Sequence, residues 1–182
     1  MIFSALNIEG AFRIDLEKQE DQRGFFARLF CAEEFAAEGL EGRWVQMNTS
    51  LSYQAGTLRG LHFQRPPMTE VKVVRCLRGA AFDVIVDLRT GSPTYGHWVS
   101  IDLTAENRSM VYVPAGFAHG FQALMPNTEL LYLHSTPYSS TYEGGLHYDD
   151  PELAITWPLP VTEMSPRDAE HPPLKALAPA SL

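Results

Sequence analysis

Val71-Lys-Val-Val-Arg-Cys-Leu77, then Arg78-Gly79-Ala80, then Ala81-Phe-Asp-Val-Ile-Val-Asp-Leu88 is the stretch that decides the fold. Each run is rich in β-branched residues and too short for an ordinary helix, and Leu77-Arg-Gly-Ala80 between them has turn chemistry. Outward from this pair, His97-Trp-Val-Ser-Ile-Asp-Leu103, Ser109-Met-Val-Tyr-Val113, Phe121-Gln-Ala-Leu124 and Leu130-Leu-Tyr-Leu-His134 continue the series, with a further turn at Arg89-Thr-Gly-Ser-Pro93. Many short strands at about 10-residue spacing predict an all-β sandwich or jelly-roll barrel of two antiparallel sheets, which leaves no long open edge. Helical period is scarce. Ala32-Glu-Glu-Phe-Ala-Ala-Glu predicts one short helix that Gly39 can close, and the tail from His171-Pro-Pro to Leu182 reads as a loop or a short docked segment.

The chain has 182 residues, 45% of them hydrophobic, which suits one core and one domain over residues 1–182. With 22 acidic against 14 basic side chains the formal charge is -8, a field that repels nucleic acid and anionic membranes. Any anionic ligand must therefore be met by local arginines. No apolar stretch is long enough to span a bilayer. Cys31 and Cys76 form neither a disulfide framework nor a C-x-x-C metal motif, and MIFSALNIEGAFRID lacks the pattern of a secretion signal, so a cytoplasmic protein is expected.

His62, in Gly56-Thr-Leu-Arg-Gly-Leu-His-Phe-Gln64, and His119, in Pro114-Ala-Gly-Phe-Ala-His-Gly-Phe, each sit among β-formers and glycines. Imidazole can take and return a proton near neutrality; taken singly, each is equally a satisfied core histidine. Period-2 alternation places Lys72 with Val74 and Cys76 on one face, and Leu130, Tyr132 and His134 on one face of another strand. A lysine on a core-lining face needs a counter-charge or a ligand unless it snorkels to solvent. Together His62, Lys72 and Tyr132 supply a base, a cation for a developing oxyanion and a weak acid, a set suited to epimerisation next to a ketone through an enolate. Asp168, in Ser165-Pro-Arg-Asp168, is a candidate to orient an imidazole, or else a turn residue.

A catalytic metal is disfavoured, because Gln64 stands where a His-x-His pair would need its second histidine and His119 adds a single imidazole. No two glycines are spaced two apart, so G-x-G-x-x-G cannot occur and no nicotinamide or other redox cofactor is expected. Arg23, Arg28, Arg59, Arg65 and Arg167 are candidate forks for a pyrophosphate. Alternation puts Arg59 and His62 on opposite faces of one strand, unless Gly60 marks a bulge that re-aims one of them.

The ordered motifs Asp21-Gln-Arg-Gly-Phe-Phe, Gln46-Met-Asn-Thr-Ser, the Gly56–Gln64 stretch, Glu70-Val-Lys, Asp87-Leu-Arg-Thr-Gly-Ser-Pro-Thr-Tyr-Gly, Pro114-Ala-Gly-Phe-Ala-His-Gly-Phe, Asp149-Asp-Pro and Ser165-Pro-Arg-Asp cover most of the chain. They resemble the dTDP-4-dehydrorhamnose 3,5-epimerase family, metal-independent cupins of the rhamnose pathway. The resemblance implies a cupin-type jelly roll that inverts C5 and C3 of a dTDP-linked 4-keto-6-deoxyhexose without a cofactor. It implies His62 as base with Asp168 as its partner, Lys72 steadying the enolate and Tyr132 as donor on the other face. It further implies Arg23 and Arg59 on the pyrophosphate, Gln46 and Asn48 lining the site, His119 on the nucleotide sugar, Tyr138 stacked on the base, and Glu143 and Arg167 as further contacts. The family's homodimers share N-terminal strands, which would carry Arg23 to the partner's site.

The chain departs from the family pattern at Arg28, where the dTDP enzymes usually carry glutamate. A guanidinium only donates, which suits cytosine better than thymine and admits a CDP-linked 5- or 3-mono-epimerase. The same residues are compatible with a sugar-nucleotide 3,4-ketoisomerase and with a non-catalytic sugar-nucleotide-binding cupin.

Overall fold

Alternation along the strands sorts the side chains into a shared interior and two separate exteriors, one of them only partly covered. The computed structural model describes residues 1–177. In chain order its strands are β1 Ile2–Ala5, β2 Phe12–Asp15, β3 Gln19–Asp21, β4 Gly24–Phe26, β5 Gln46–Ser52, β6 Leu58–Gln64, β7 Lys72–Arg78, β8 Ala80–Asp87, β9 Trp98–Thr104, β10 Met110–Val113, β11 Phe117–Ala123, β12 Thr128–His134 and β13 Glu143–Gly145. Two short helices, α1 Ala32–Ala37 and α2 Pro166–Ala169, and a 3₁₀ turn at Leu174–Ala176 complete it.

The strands form a six-stranded sheet ordered β1-β2-β10-β7-β12-β5 and a five-stranded sheet ordered β13-β6-β11-β8-β9, with β3 and β4 pairing, among the described residues, only with each other. Neighbours in these sheets run antiparallel, so the expected two-sheet jelly roll is the fold observed. Between the sheets pack Val74, Cys76, Val111, Val113 and Leu130 from one side and Ala81, Ile85, Leu103, Phe117 and Phe121 from the other. The outer face of the five-stranded sheet is covered by Leu146, Leu153, Leu174 and Leu177, so the tail docks at least as far as Leu177. The tail's end, Ala178 to Leu182, lies outside the described residues. Helix α1 lays Phe35 over Ile14, Val73, Met110 and Tyr112 on the six-stranded sheet; Gly39 follows it at φ +71°, where Leu40 N–H returns to Phe35 C=O. Among the described residues no helix is long and apolar enough to cross a membrane.

The strands read from the sequence are all present, with ends shifted by up to four residues; β1 to β5 and β13 were not read from it. Strand β5 shows why. Its inward residues Gln46, Asn48 and Ser50 line a polar cavity, and Met47, on its other face, is 66% exposed, so polar and apolar residues fall opposite to the usual rule.

Candidate active site

The open end of the sandwich encloses a cavity of about 810 Å³, walled by β5, β7 and β12 on one side and β6 and β11 on the other. Gly60 is the joint that brings β6's chemistry into it. On the partner strand, His119 pairs with His62 but Phe121 pairs with Arg59, a two-against-three mismatch centred on Gly60. Alternation is broken there and both Arg59 and His62 line the cavity, as a bulge at Gly60 would require. Only glycine fits: a Cβ would lie 2.5 Å from Gly120 Cα, and φ is +123°.

His62 Nε2 lies 2.9 Å from Asp168 Oδ1, and Gly60 N–H donates to Asp168 Oδ2 at 3.0 Å. Helix α2 delivers the carboxylate; Ser165 caps it, its Oγ accepting from Asp168 N–H at 3.0 Å. Burial alone would raise the Asp168 carboxyl, but the hydrogen bond and charge of His62, with Gly60 N–H, outweigh it and hold the pKa at about 2. A depressed carboxylate contributes stability above its ordinary pKa and loses it as pH falls toward the folded value. Between pH 5 and pH 2 this group should cost the fold about 2 kcal/mol. Urea denaturation should show that increment in the parent and not in Asp168→Asn; equal pH slopes would refute it.

Across the cavity, Tyr132 Oη and Ser50 Oγ are 2.8 Å apart. Burial pushes the phenol well above its usual pKa, so it holds its proton. Its ring stacks on His134 and meets His119 edge-on. Lys72 is buried and paired: Nζ is 2.9 Å from Glu70 Oε1 and donates to His62 C=O at 3.5 Å. Glu70 Oε2 also faces His134 Nδ1 at 2.8 Å. Burial works to raise Glu70, but His134 and Lys72 more than compensate and its carboxyl is lowered. His119 Nε2 meets Asp83 Oδ2 at 2.8 Å, a third imidazole–carboxylate pair, buried, where burial raises the Asp83 carboxyl.

The remaining candidates gather at the mouth. Arg59 donates to Ser52 Oγ and Leu51 C=O. Gln46 Oε1 accepts from Tyr138 N–H, and Asn48 Nδ2 is 3.4 Å from His134 Nε2. Glu143 Oε2 accepts from Tyr138 Oη at 2.9 Å and from Arg167 at 2.7 Å. Two predicted residues do not join this cavity within the chain. Arg23, its side chain 90% exposed, is paired with Asp21, and Arg28 is bound to Glu34 beside a small separate cleft. Arg65, weighed with the other arginines, instead donates to Glu143 C=O. Sequence reasoning passed over Asp83, Glu70, Ser50 and His134. Asp83 was detectable as an acid on the inward face of an apolar strand, and Glu70 as an acid two residues before Lys72.

The sequence pattern of the dTDP-4-dehydrorhamnose 3,5-epimerase family matches residues 5–176. A dTDP-4-dehydrorhamnose 3,5-epimerase from Sinorhizobium fredii is 46% identical over 175 residues, covering 96% of this chain and 90% of its own. A dTDP-4-dehydrorhamnose 3-epimerase from Streptomyces niveus is 45% identical over 166 residues, covering 91% and 80%. Among solved structures, the dTDP-6-deoxy-D-glucose-3,5-epimerase of Legionella pneumophila in complex with dTDP-4-keto-L-rhamnose is similar at a TM-score of 0.90 and 40% identity, covering 97% of this chain and 94% of that one.

Proposed function

Because the chain belongs to the dTDP-4-dehydrorhamnose 3,5-epimerase family, an isomerase family, we propose that it inverts C5 and C3 of a dTDP-linked 4-keto-6-deoxyhexose, with His62 as base and Tyr132 as opposing acid. The observation that carries this reading is their placement on facing walls: His62, held by Asp168 of α2, comes from the five-stranded sheet and the Tyr132 hydroxyl from the six-stranded one. Inversion needs a base and a donor on opposite faces of the sugar ring. The Nε2 bond to Asp168 fixes the imidazole and leaves Nδ1 to take the proton from carbon. The C–H electron pair moves into the 4-keto group, and the enolate oxygen gathers charge beside the Lys72 ammonium. Tyr132 then delivers its proton to the opposite face, and exchange with solvent restores both groups.

We favour dTDP as the carrier, because Arg28, the residue that suggested cytosine, is engaged by Glu34. Proton NMR in deuterated water should show deuterium entering at C5 and C3 with the 4-ketone retained, and at least about tenfold more slowly with a CDP-linked sugar. A migrating carbonyl would establish a ketoisomerase instead, and exchange at C3 alone would restrict the enzyme to one centre.

The protein is proposed to work as a homodimer. The β5–β12 half of the six-stranded sheet is uncovered by α1, leaving Met47 and Leu51 exposed, and the β3–β4 ribbon holds Phe26 74% exposed with no third strand among the described residues to support it. A second copy seated there would shelter both and bring Arg23 to the partner's cavity. Sedimentation equilibrium should give twice the chain mass, and Met47→Glu should shift it toward the monomer; a parent monomer would refute this.

A further inference from the structure

Beside the dyad lies an imidazole that the proposed reaction does not use. His171 Nε2 is buried with no hydrogen-bond partner among the described residues, 3.8 Å from Asp168 Oδ1. The ring occupies the space that a side chain at position 145 would fill: a Cβ on Gly145 would lie 2.1 Å from His171 Nε2, and Gly145 is the cross-strand partner of His62. The two imidazoles therefore meet edge to face, with centroids 5.6 Å apart. One donor atom from each of His62, Asp168 and His171 falls within a 4.8 Å group.

We propose that these three residues form a binding site for a divalent transition cation, zinc foremost, and that its occupation withdraws His62 from catalysis. Two imidazoles and one carboxylate are a donor set that zinc accepts, and its bond lengths of about 2.0–2.2 Å place tetrahedral donors about 3.4 Å apart. The separations of 2.9 Å and 3.8 Å to Asp168 straddle that value, and because the group extends to 4.8 Å, closure on a cation draws the two imidazoles toward each other. Capping by Ser165 and the Gly60 amide already anchor the carboxylate. A cation between His62 Nε2 and Asp168 takes the place of the proton there. Neutral His62 then carries its one proton on Nδ1, the atom that must be vacant to accept the substrate's. The withdrawal, though not the site, rests on His62 being the base.

Metal-free protein titrated with cobalt(II) should develop a visible d–d absorption saturating at one ion per chain, and calorimetry with zinc should give the same stoichiometry. His171→Phe, which keeps the ring volume, should weaken both at least tenfold; His171→Asn covers the case in which phenylalanine disturbs packing on Gly145. In chelator both variants should turn over within about threefold of the parent. Zinc should suppress the parent at least tenfold, reversibly, and leave the variants untouched. Absence of saturable binding in the parent, or variants that bind as the parent does, overturns the site. Zinc that binds through His171 without slowing turnover overturns His62 as the base and leaves the site standing.

Discussion

His62→Gln should lower kcat by about 10³-fold while dTDP affinity stays within about threefold, because a positioned general base contributes roughly 10² to 10⁴ in rate. Glutamine is the informative replacement. Its amide nitrogen reaches the position of the imidazole Nε2 and can still donate to Asp168, so the buried carboxylate keeps a partner and the Gly60 and Ser165 contacts are not disturbed. The groups proposed to hold the nucleotide lie elsewhere, on Arg59 at the start of β6 and around Glu143 at the mouth. The loss should therefore appear in the chemical step and not in binding, which is the signature of an interaction made only on the way to the transition state. Deuterium exchange rates by NMR and calorimetry with dTDP measure the two separately. A fall in kcat of less than tenfold would move the base to another residue, and the enclosed His119–Asp83 pair would be the next to test.

The strands that build the interior were legible because their side chains obey one rule, apolar inward. β7, β8, β9, β10 and β12 all do so. The site obeys the opposite rule and was correspondingly harder to read. β5 turns its polar residues inward, and β11 begins four residues earlier than its apolar run, because His119 points to the cavity and Gly120 must let Gly60 approach. The acid–base set itself was legible as residue types on strand faces: Lys72 and Tyr132 were both assigned to inward faces by alternation. Among the carboxylates that control the site, Asp168 was named as a partner for an imidazole; the pairings of Glu70 and Asp83 were not. Glu70 reaches Lys72 and His134 from just outside β7, Asp83 answers His119 across a strand pair, and the paired state of Arg28 depends on a fold-back to α1. Local periodicity carries no information about such partners.

Tyr132→Phe should separate proton removal from inversion. The substitution deletes one hydroxyl and keeps the ring, with its stack on His134 and its edge contact with His119. The fold should lose only about 1 kcal/mol, the ordinary net worth of the Ser50 hydrogen bond. His62, Asp168 and Lys72 remain, so the enolate should still form and deuterium should still enter at no less than about a tenth of the parent rate. It should return to the face it left, because the opposite wall no longer has a donor, and inversion at C5 should fall at least about 10²-fold. NMR of the sugar ring reports both quantities in one sample, since exchange removes the proton signal and inversion changes the couplings. Inversion at the parent rate would mean that another group, or water, is the donor. Loss of exchange together with inversion would mean that Tyr132 is needed to form the enolate, and would transfer to it the role now given to Lys72.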